Sequence, residues 1–297
     1  MVVTTDLDAA VAGLAARLYV AALRGLPPDV EDAIAAAPGR ETSASGRRVL
    51  ETIVRNAAAA AERDSLVCQD TGLAVYLCRV GEEFPLHPAA IEEALSDGTE
   101  RATLESPLRS NTVHPLTRAP SGANVGHRIP IVSWRFVRGW DGLEITCVPK
   151  GSGSESMSFL KMCTPAEGVR GIKAFVLDSV VGAGGKPCPP GIVGVGIGGS
   201  ADYALRLAKE AIARPLGTRN PDPDVARLEE ELLELLNETG IGPMGLGGDV
   251  TALAVHVEHA DTHITLNPVA VNYQCWAARR ASARIAADGV VEYEGDV

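Results

Sequence analysis

Apolar positions recur at helical spacing over residues 6–23, 30–36 and 46–63, so residues 1–64 read as a helical layer. The pattern changes at Leu66. Residues 65–80 read as a loop carrying Cys68 followed by a strand over 73–79, residues 88–95 as a short helix, and residues 106–126 as a polar loop. Strands are predicted at 129–136 and 143–148, where apolar residues alternate. The stretch PKGSGSES at 149–156 is a Gly/Ser turn suited to neither strand nor helix, its backbone free to face a ligand. A helix is expected at 166–182. Residues 191–199 form a buried strand running into a glycine-rich turn, and 200–213 form a helix. A Pro-rich loop (214–224) and an acidic helix (225–238) follow. A strand over 250–258, a short strand or loop at 270–272 before Cys275, and a loosely ordered acidic tail (289–297) complete the chain. The expected fold is α/β (mixed α+β): a helical N-terminal layer packed on mixed β-sheets, with 1–297 as a single domain made of that layer, a main part over 65–288 and the tail.

Composition narrows the classes. With 297 residues, 46% of them apolar, the chain can bury a full core as one large domain or two smaller ones. Aromatics are scarce at 4%, while 31 Gly and 19 Pro imply packing on small and aliphatic side chains with many turns. A net charge of −11 with scattered basic residues argues against a nucleic-acid surface. Asp6, Asp8, Arg17 and Arg24 interrupt the apolar N-terminus before a signal peptide or membrane span is reached, so we expect a cytoplasmic protein that makes no membrane contact.

The six cysteines are not a disulfide framework in a chain of this kind; they are core thiols or metal ligands. Cys78 and Cys147 lie in apolar alternating runs and Cys163 in KMCTP, settings in which a thiol packs as a small hydrophobe. Cys68 precedes Gln69-Asp70-Thr71-Gly72, Cys188 stands between Pro187 and Pro189, and Cys275 precedes Trp276. These are turns or strand ends, from which a ligand thiolate can project. Their wide separation, with no C-x-x-C pair, disfavours a zinc ribbon or ferredoxin-type cluster. Three distant thiolates suit a [4Fe–4S] cubane with one iron lacking a protein ligand, and such an iron can act as a Lewis acid on a hydroxyl leaving group.

The segments VCQDTG (67–72), LRSNTVHPLT (108–117), PKGSGSESMS (149–158), CPPGIVGVGIGGS (188–200) and THITLNPVAVNYQCWAARRA (262–281) resemble the class I iron–sulfur fumarases and tartrate dehydratases. The resemblance covers nearly the whole chain. It implies a hydro-lyase α subunit that holds a [4Fe–4S] cluster through Cys68, Cys188 and Cys275 and acts on a small hydroxy-dicarboxylic acid. It further implies a β subunit carrying the rest of the active site, in an α2β2 assembly. Substrate contacts implied by the resemblance are Gln69, Asp70, Arg109 and a backbone amide at Gly151 or Gly153, with Asp70 and His263 as candidate acid/base groups. His256 and His259 read as structural, while His114 and His127 stay undecided. The forms of PKGSGSES and THITLNPVAVNYQC lean towards fumarate hydratase, with L(+)-tartrate dehydratase as the alternative.

Two other classes compete. Gly194-Val195-Gly196-Ile197-Gly198-Gly199 satisfies G-x-G-x-x-G, but the Pro-rich loop that follows its helix stands where a second parallel strand is wanted. Close packing beside Cys188 accounts better for these glycines. An iron–sulfur sensor is the non-enzymatic alternative, yet a sensor has no use for carboxylate-binding groups such as Arg109 and the PKGSGS turn.

Overall fold

In the computed structural model, which describes residues 4–294, the predicted helices and strands form a mixed α/β protein. The chain begins with helices α1 (Thr4–Arg24), α2 (Pro28–Arg40) and α3 (Ala44–Glu62), followed by β1 (Leu73–Gly81), α4 (Pro88–Glu105), β2 (Ile131–Val137) and β3 (Gly142–Lys150). Next come α5 (Ser152–Glu155), β4 (Phe159–Cys163), α6 (Gly168–Ala183), β5 (Gly191–Ile197), α7 (Ala201–Ala211) and α8 (Pro223–Asn237). Strands β6 (Ala252–His259), β7 (Asn267–Gln274), β8 (Ala281–Ala286) and β9 (Val291–Glu294) complete the order. These elements divide into two compact units.

The first unit comprises the chain up to Pro27, Ala60–Gly151 and everything from Arg279 on. Its sheet has the order β2-β1-β3-β8-β9, with β1 and β2 parallel and the other neighbours antiparallel. Strand alternation sends Ala74, Tyr76 and Cys78 of β1 and Leu143, Ile145 and Cys147 of β3 into one core with Val11, Leu14 and Leu18 of α1 and Ile91 and Leu95 of α4. Leu7–Arg40 contains a window apolar enough to pass for a membrane span, but the apolar side chains of α1 are the ones buried in this core. On the outer face, register aligns Arg79, Glu144 and Arg284, and Glu144 receives both guanidinium groups, at 3.2 and 2.9 Å.

Helix α4 runs ten residues beyond the predicted end at 95. The polar run after Leu95 is its outer face; Gly98, Thr99, Ala102 and Thr103 continue the buried one. Gly98 is required there, because a Cβ would lie 2.3 Å from the Ala12 carbonyl oxygen of α1.

The second unit comprises Pro28–Ala59 and Ser152–Ala278, so α2 and most of α3 belong to it while α1 belongs to the first. Its sheet has the order β4-β7-β5-β6, with β5 and β6 parallel and the other neighbours antiparallel. Val176 and Val180 of α6 and Leu232 and Leu236 of α8 pack with Val193, Val195, Val255 and Val271 in one core, while Ala204 and Ala208 of α7 pack with Ala270. The second parallel strand, β6, therefore exists, reached through α8 after the Pro-rich loop. The glycines of β5 nonetheless serve packing: a Cβ on Gly194 or Gly196 would lie 2.2 Å or 2.0 Å from carbonyl oxygens of α7. Glu258 of β6 faces Arg214 at 3.3 Å.

Other departures have local causes. The 149–156 stretch contains the last residues of β3 and the single helical turn α5. Strands β4 and β8 lie in segments to which the sequence pattern assigns no element, and β7 is longer than predicted because its Pro268 and Asn272 dilute an otherwise strand-like run. Within the predicted loose tail, residues 291–294 pair with β8 as β9, and 295–297 lie outside the described residues.

The 242–250 loop of the second unit closes on one buried carboxylate. Glu41, 1% exposed, accepts from the amides of Ser43 (2.9 Å), Asp249 (2.9 and 3.0 Å) and Val250 (3.1 Å). Glu41→Ala strands these three donors and is expected to destabilise the protein by about 2–4 kcal/mol. Glu41→Gln, which keeps one acceptor oxygen, should lose less. A urea midpoint unchanged in Glu41→Ala would contradict this account of the loop.

Candidate functional site

Most of the residues singled out by sequence lie on irregular backbone. In the first unit, residues 63–72 descend from α3 into β1, and the Val67 amide bonds to the Leu23 carbonyl of α1 at 3.0 Å. Cys68 is half-buried, Gln69 exposed and Asp70 half-buried. The thiol of Cys68 lies 3.7 Å from Gln69 Oε1. Asp70 Oδ1 accepts from the Gly72 amide at 2.9 Å, closing a turn. Gly72 has φ +68°, and a Cβ there would sit 2.8 Å from the backbone of Pro149 and Lys150, so only glycine fits.

Arg109 belongs to the same unit, on the long loop after α4. Its carbonyl accepts from Thr71 Oγ1 at 2.5 Å and from Asn124 Nδ2 at 3.1 Å. Its side chain is exposed, and the guanidinium has no hydrogen-bond or ion-pair partner among the described residues. Such a fork is available to a carboxylate. The first unit thus brings Cys68, Gln69, Asp70 and Arg109 onto two loops joined by Thr71. Gly151 is the last residue of this unit.

The second unit holds Gly153, Cys188, His263 and Cys275. Cys188 is half-buried and sits at φ +56°, a conformation unusual for a residue with a side chain. Its carbonyl accepts from the Trp276 amide at 3.0 Å, its amide donates to Gly185 at 3.1 Å, and the Pro189 carbonyl accepts from Met244 at 2.7 Å. Gly191 lets the two cysteine loops touch, because a Cβ there would come 2.0 Å from the Gln274 carbonyl oxygen and 3.2 Å from the Cys275 carbonyl carbon. Cys188 and Cys275 are therefore borne by two loops bonded backbone to backbone.

Gly153 packs on the segment leading to Cys188; its Cβ would meet the Lys186 carbonyl oxygen at 2.8 Å. The α5 turn around it is anchored by Glu155, which takes Lys209 Nζ of α7 at 2.6 Å and Asn272 Nδ2 of β7 at 3.3 Å. Asn272 also donates to Ser158 at 2.7 Å. His263 is exposed on the loop before β7, with Nδ1 2.9 Å from Thr265 Oγ1 and accepting from the Thr265 amide at 3.2 Å. His256 is fully buried, its Nδ1 3.2 Å from the Ala211 carbonyl, and His114 Nδ1 accepts from two amides of its own loop.

None of the six cysteines is in a disulfide, and they fall into two kinds. Cys68, Cys188 and Cys275 are half-buried, whereas Cys78, Cys147 and Cys163 are buried. Burial pushes the thiols of Cys78 and Cys147 far above the ordinary range, and that of Cys163 upward too. Among the described residues, no three His, Cys, Asp or Glu side chains are gathered as ligands of a single ion would be.

Sequence reasoning missed the residues that hold these loops: Tyr19, Thr71, Asn124 and Arg279 in the first unit and Glu155, Lys209 and Asn272 in the second. A signal existed for some of them. Asn272 interrupts the apolar alternation of VAVNYQC, and a polar residue on a core face is there to satisfy something.

Comparison with known proteins gives the following. A family model described as fumarate hydratase (Fumerase) matches residues 13–284. The chain is 47% identical over 265 residues to the putative L(+)-tartrate dehydratase subunit alpha of Methanocaldococcus jannaschii, covering 89% of this chain and 93% of that protein. It is 36% identical over 263 residues to the L(+)-tartrate dehydratase subunit alpha of Escherichia coli (strain K12), covering 89% and 86%.

The two kinds of thiol predict an order of reactivity. In the metal-free native protein, alkylation followed by mass spectrometry should label Cys68, Cys188 and Cys275 at least about tenfold faster than Cys78, Cys147 and Cys163, which react only when the structure opens. Equal rates for all six would contradict the sorting.

Proposed function

Because the chain belongs to the fumarate hydratase family, we propose that it is the α subunit of a hydro-lyase, a carbon–oxygen lyase that adds water to, or removes it from, a small dicarboxylic acid. The cofactor of this reading is a [4Fe–4S] cluster held by Cys68, Cys188 and Cys275. The donor set supports it: three half-buried thiols outside any disulfide, two of them on loops bonded to each other. Soft thiolates suit iron–sulfur chemistry, and each thiolate of a cubane binds its own iron, so the reading does not need the tight convergence that one ion demands. That the Cys188 and Cys275 loops are tied together while both thiols stay accessible is the observation that carries the proposal.

When bound, such a cluster supplies a Lewis-acidic iron that weakens the bond from carbon to a departing hydroxyl. The residues of the chain supply the rest. Arg109 holds one substrate carboxylate in its free guanidinium fork, and the amides around Gly151 and Gly153 hold another oxygen. Gln69 offers an exposed amide beside Cys68. At His263, the Thr265 amide donates to Nδ1, which places the proton of the neutral ring on Nε2, the atom from which it can be given to substrate. Asp70, fixed in its turn through Oδ1, is the second candidate acid/base group.

A β subunit completes the active site in this reading. It is supported by the words "subunit alpha" in the names of both relatives. An α2β2 assembly in the cytoplasm belongs to the same proposal. The motif forms favour fumarate and malate as substrates. L(+)-tartrate is the second reading, favoured by the names of relatives at 47% and 36% identity.

Anaerobic co-purification with the β subunit tests the proposal. Iron and sulfide are expected in the wild type and should be lost in Cys68→Ser, Cys188→Ser and Cys275→Ser, but retained in Cys163→Ser. Assays on fumarate, malate and both tartrates then decide the substrate. Zinc in place of iron, or equal occupancy in every variant, would overturn the cofactor reading; faster turnover of L-tartrate than of malate would favour the second substrate.

A further inference from the structure

The core of the first unit meets the two loops that carry Gln69, Asp70 and Arg109 with polar side chains. There four polar side chains are sealed from solvent: Tyr19, Thr71 and Asn124 at 0% exposure and Arg279 at 2%. Each has a hydrogen bond that ends on loop backbone. Tyr19 Oη donates to the Thr71 carbonyl at 3.1 Å and Arg279 Nη1 to the Asp70 carbonyl at 2.6 Å. Thr71 Oγ1 donates to the Arg109 carbonyl at 2.5 Å. Asn124 donates to that same carbonyl at 3.1 Å and accepts from the Asn111 amide at 2.8 Å, gripping the chain on both sides of Ser110 as a neighbouring strand would. Ser110 Oγ donates in turn to the Ala123 carbonyl at 2.7 Å.

We propose that Thr71 and Asn124 are positioning residues that clamp the backbone of Arg109 and so aim its guanidinium at a substrate carboxylate, in fixed relation to the Gln69–Asp70 turn. The inference rests on the reading of Arg109 as a carboxylate-binding group. The guanidinium has no partner among the described residues, so what the fold fixes is the point from which it projects, and both acceptor positions of the Arg109 carbonyl are taken by these two side chains. The Thr71 hydroxyl lies 2.5 Å from the Arg109 carbonyl and 2.6 Å from the side-chain amide of Asn111, so the Cys68 turn meets the arginine loop at this hydroxyl on both sides of Ser110. Thr71→Val keeps the shape and removes the hydroxyl, and with it the bond to Arg109 and the contact with Asn111. Thr71→Ser keeps it.

The test uses the assembled holoenzyme. Thr71→Val is expected to raise the KM for the dicarboxylate roughly 3–10-fold with kcat changed less than about twofold, the signature of lost ground-state binding. Thr71→Ser should return within about twofold of wild type. Asn124→Ser, removing the other arm of the clamp, should show the same pattern and keeps the test alive if Thr71→Val does not fold. In an Arg109→Met background, Thr71→Val should add no further rise in KM, because there is no guanidinium left to aim. Independently of activity, amide hydrogen exchange over residues 109–112 should accelerate in Thr71→Val and Asn124→Ser, with the iron content of the holoenzyme unchanged. An unchanged KM in Thr71→Val, or an effect that persists undiminished in the Arg109→Met background, would overturn the proposal while leaving the role of Arg109 intact. A wild-type KM in Arg109→Met alone would overturn the reading of Arg109 and the clamp with it.

Discussion

A loop that enters a protein interior brings backbone N–H and C=O groups that no helix or sheet pairs, and leaving them unmet costs about as much as losing a hydrogen bond each. Most of the candidate groups in this chain ride on such loops. The first unit meets the requirement with side chains: Tyr19, Thr71, Asn124 and Arg279 are buried in an apolar core to bond the carbonyls of residues 70, 71 and 109. The second unit meets it largely with backbone, as when the Trp276 amide bonds Cys188 and the Met244 amide bonds Pro189. Both solutions make irregular backbone rigid, and rigid backbone is what a ligand thiolate or a carboxylate-binding arginine needs.

Backbone can meet backbone only where side chains are absent, which gives the glycine content its purpose. Gly72 faces the end of β3, Gly98 faces α1, Gly191 faces the Cys275 turn, and Gly194 and Gly196 face α7, each at a distance a Cβ would not allow. The glycine-rich run after Cys188, which by pattern alone fits a dinucleotide motif, is accounted for by this helix-on-strand packing.

Much of this was legible in the sequence, for physical reasons that also mark where legibility ends. The core elements α1, β1 and β3 show periodicity because each turns one face to the core, while β5 and β6, buried on both faces, read as short apolar runs. The missed elements lack it. Strand β4 lies at a sheet edge with Leu160, Lys161 and Met162 exposed, β9 is a short edge strand, and α4 hides its second half behind small residues that carry no hydrophobic signal. Candidate ligands and substrate contacts could be singled out from residue type, setting and motif. Their supports could not, because Thr71, Asn124 and Asn272 matter for what they touch, and those contacts join residues as many as 117 positions apart.

As proposed, three of the six thiols hold a cubane whose fourth iron is left to the substrate. Iron-57 Mössbauer spectroscopy of the anaerobic holoenzyme, with and without the dicarboxylic acid, tests it most directly. One iron in four is expected to be distinct from the others, with a change confined to that minority signal when substrate is added. Four equivalent irons indifferent to substrate, or no cluster at all, would contradict it.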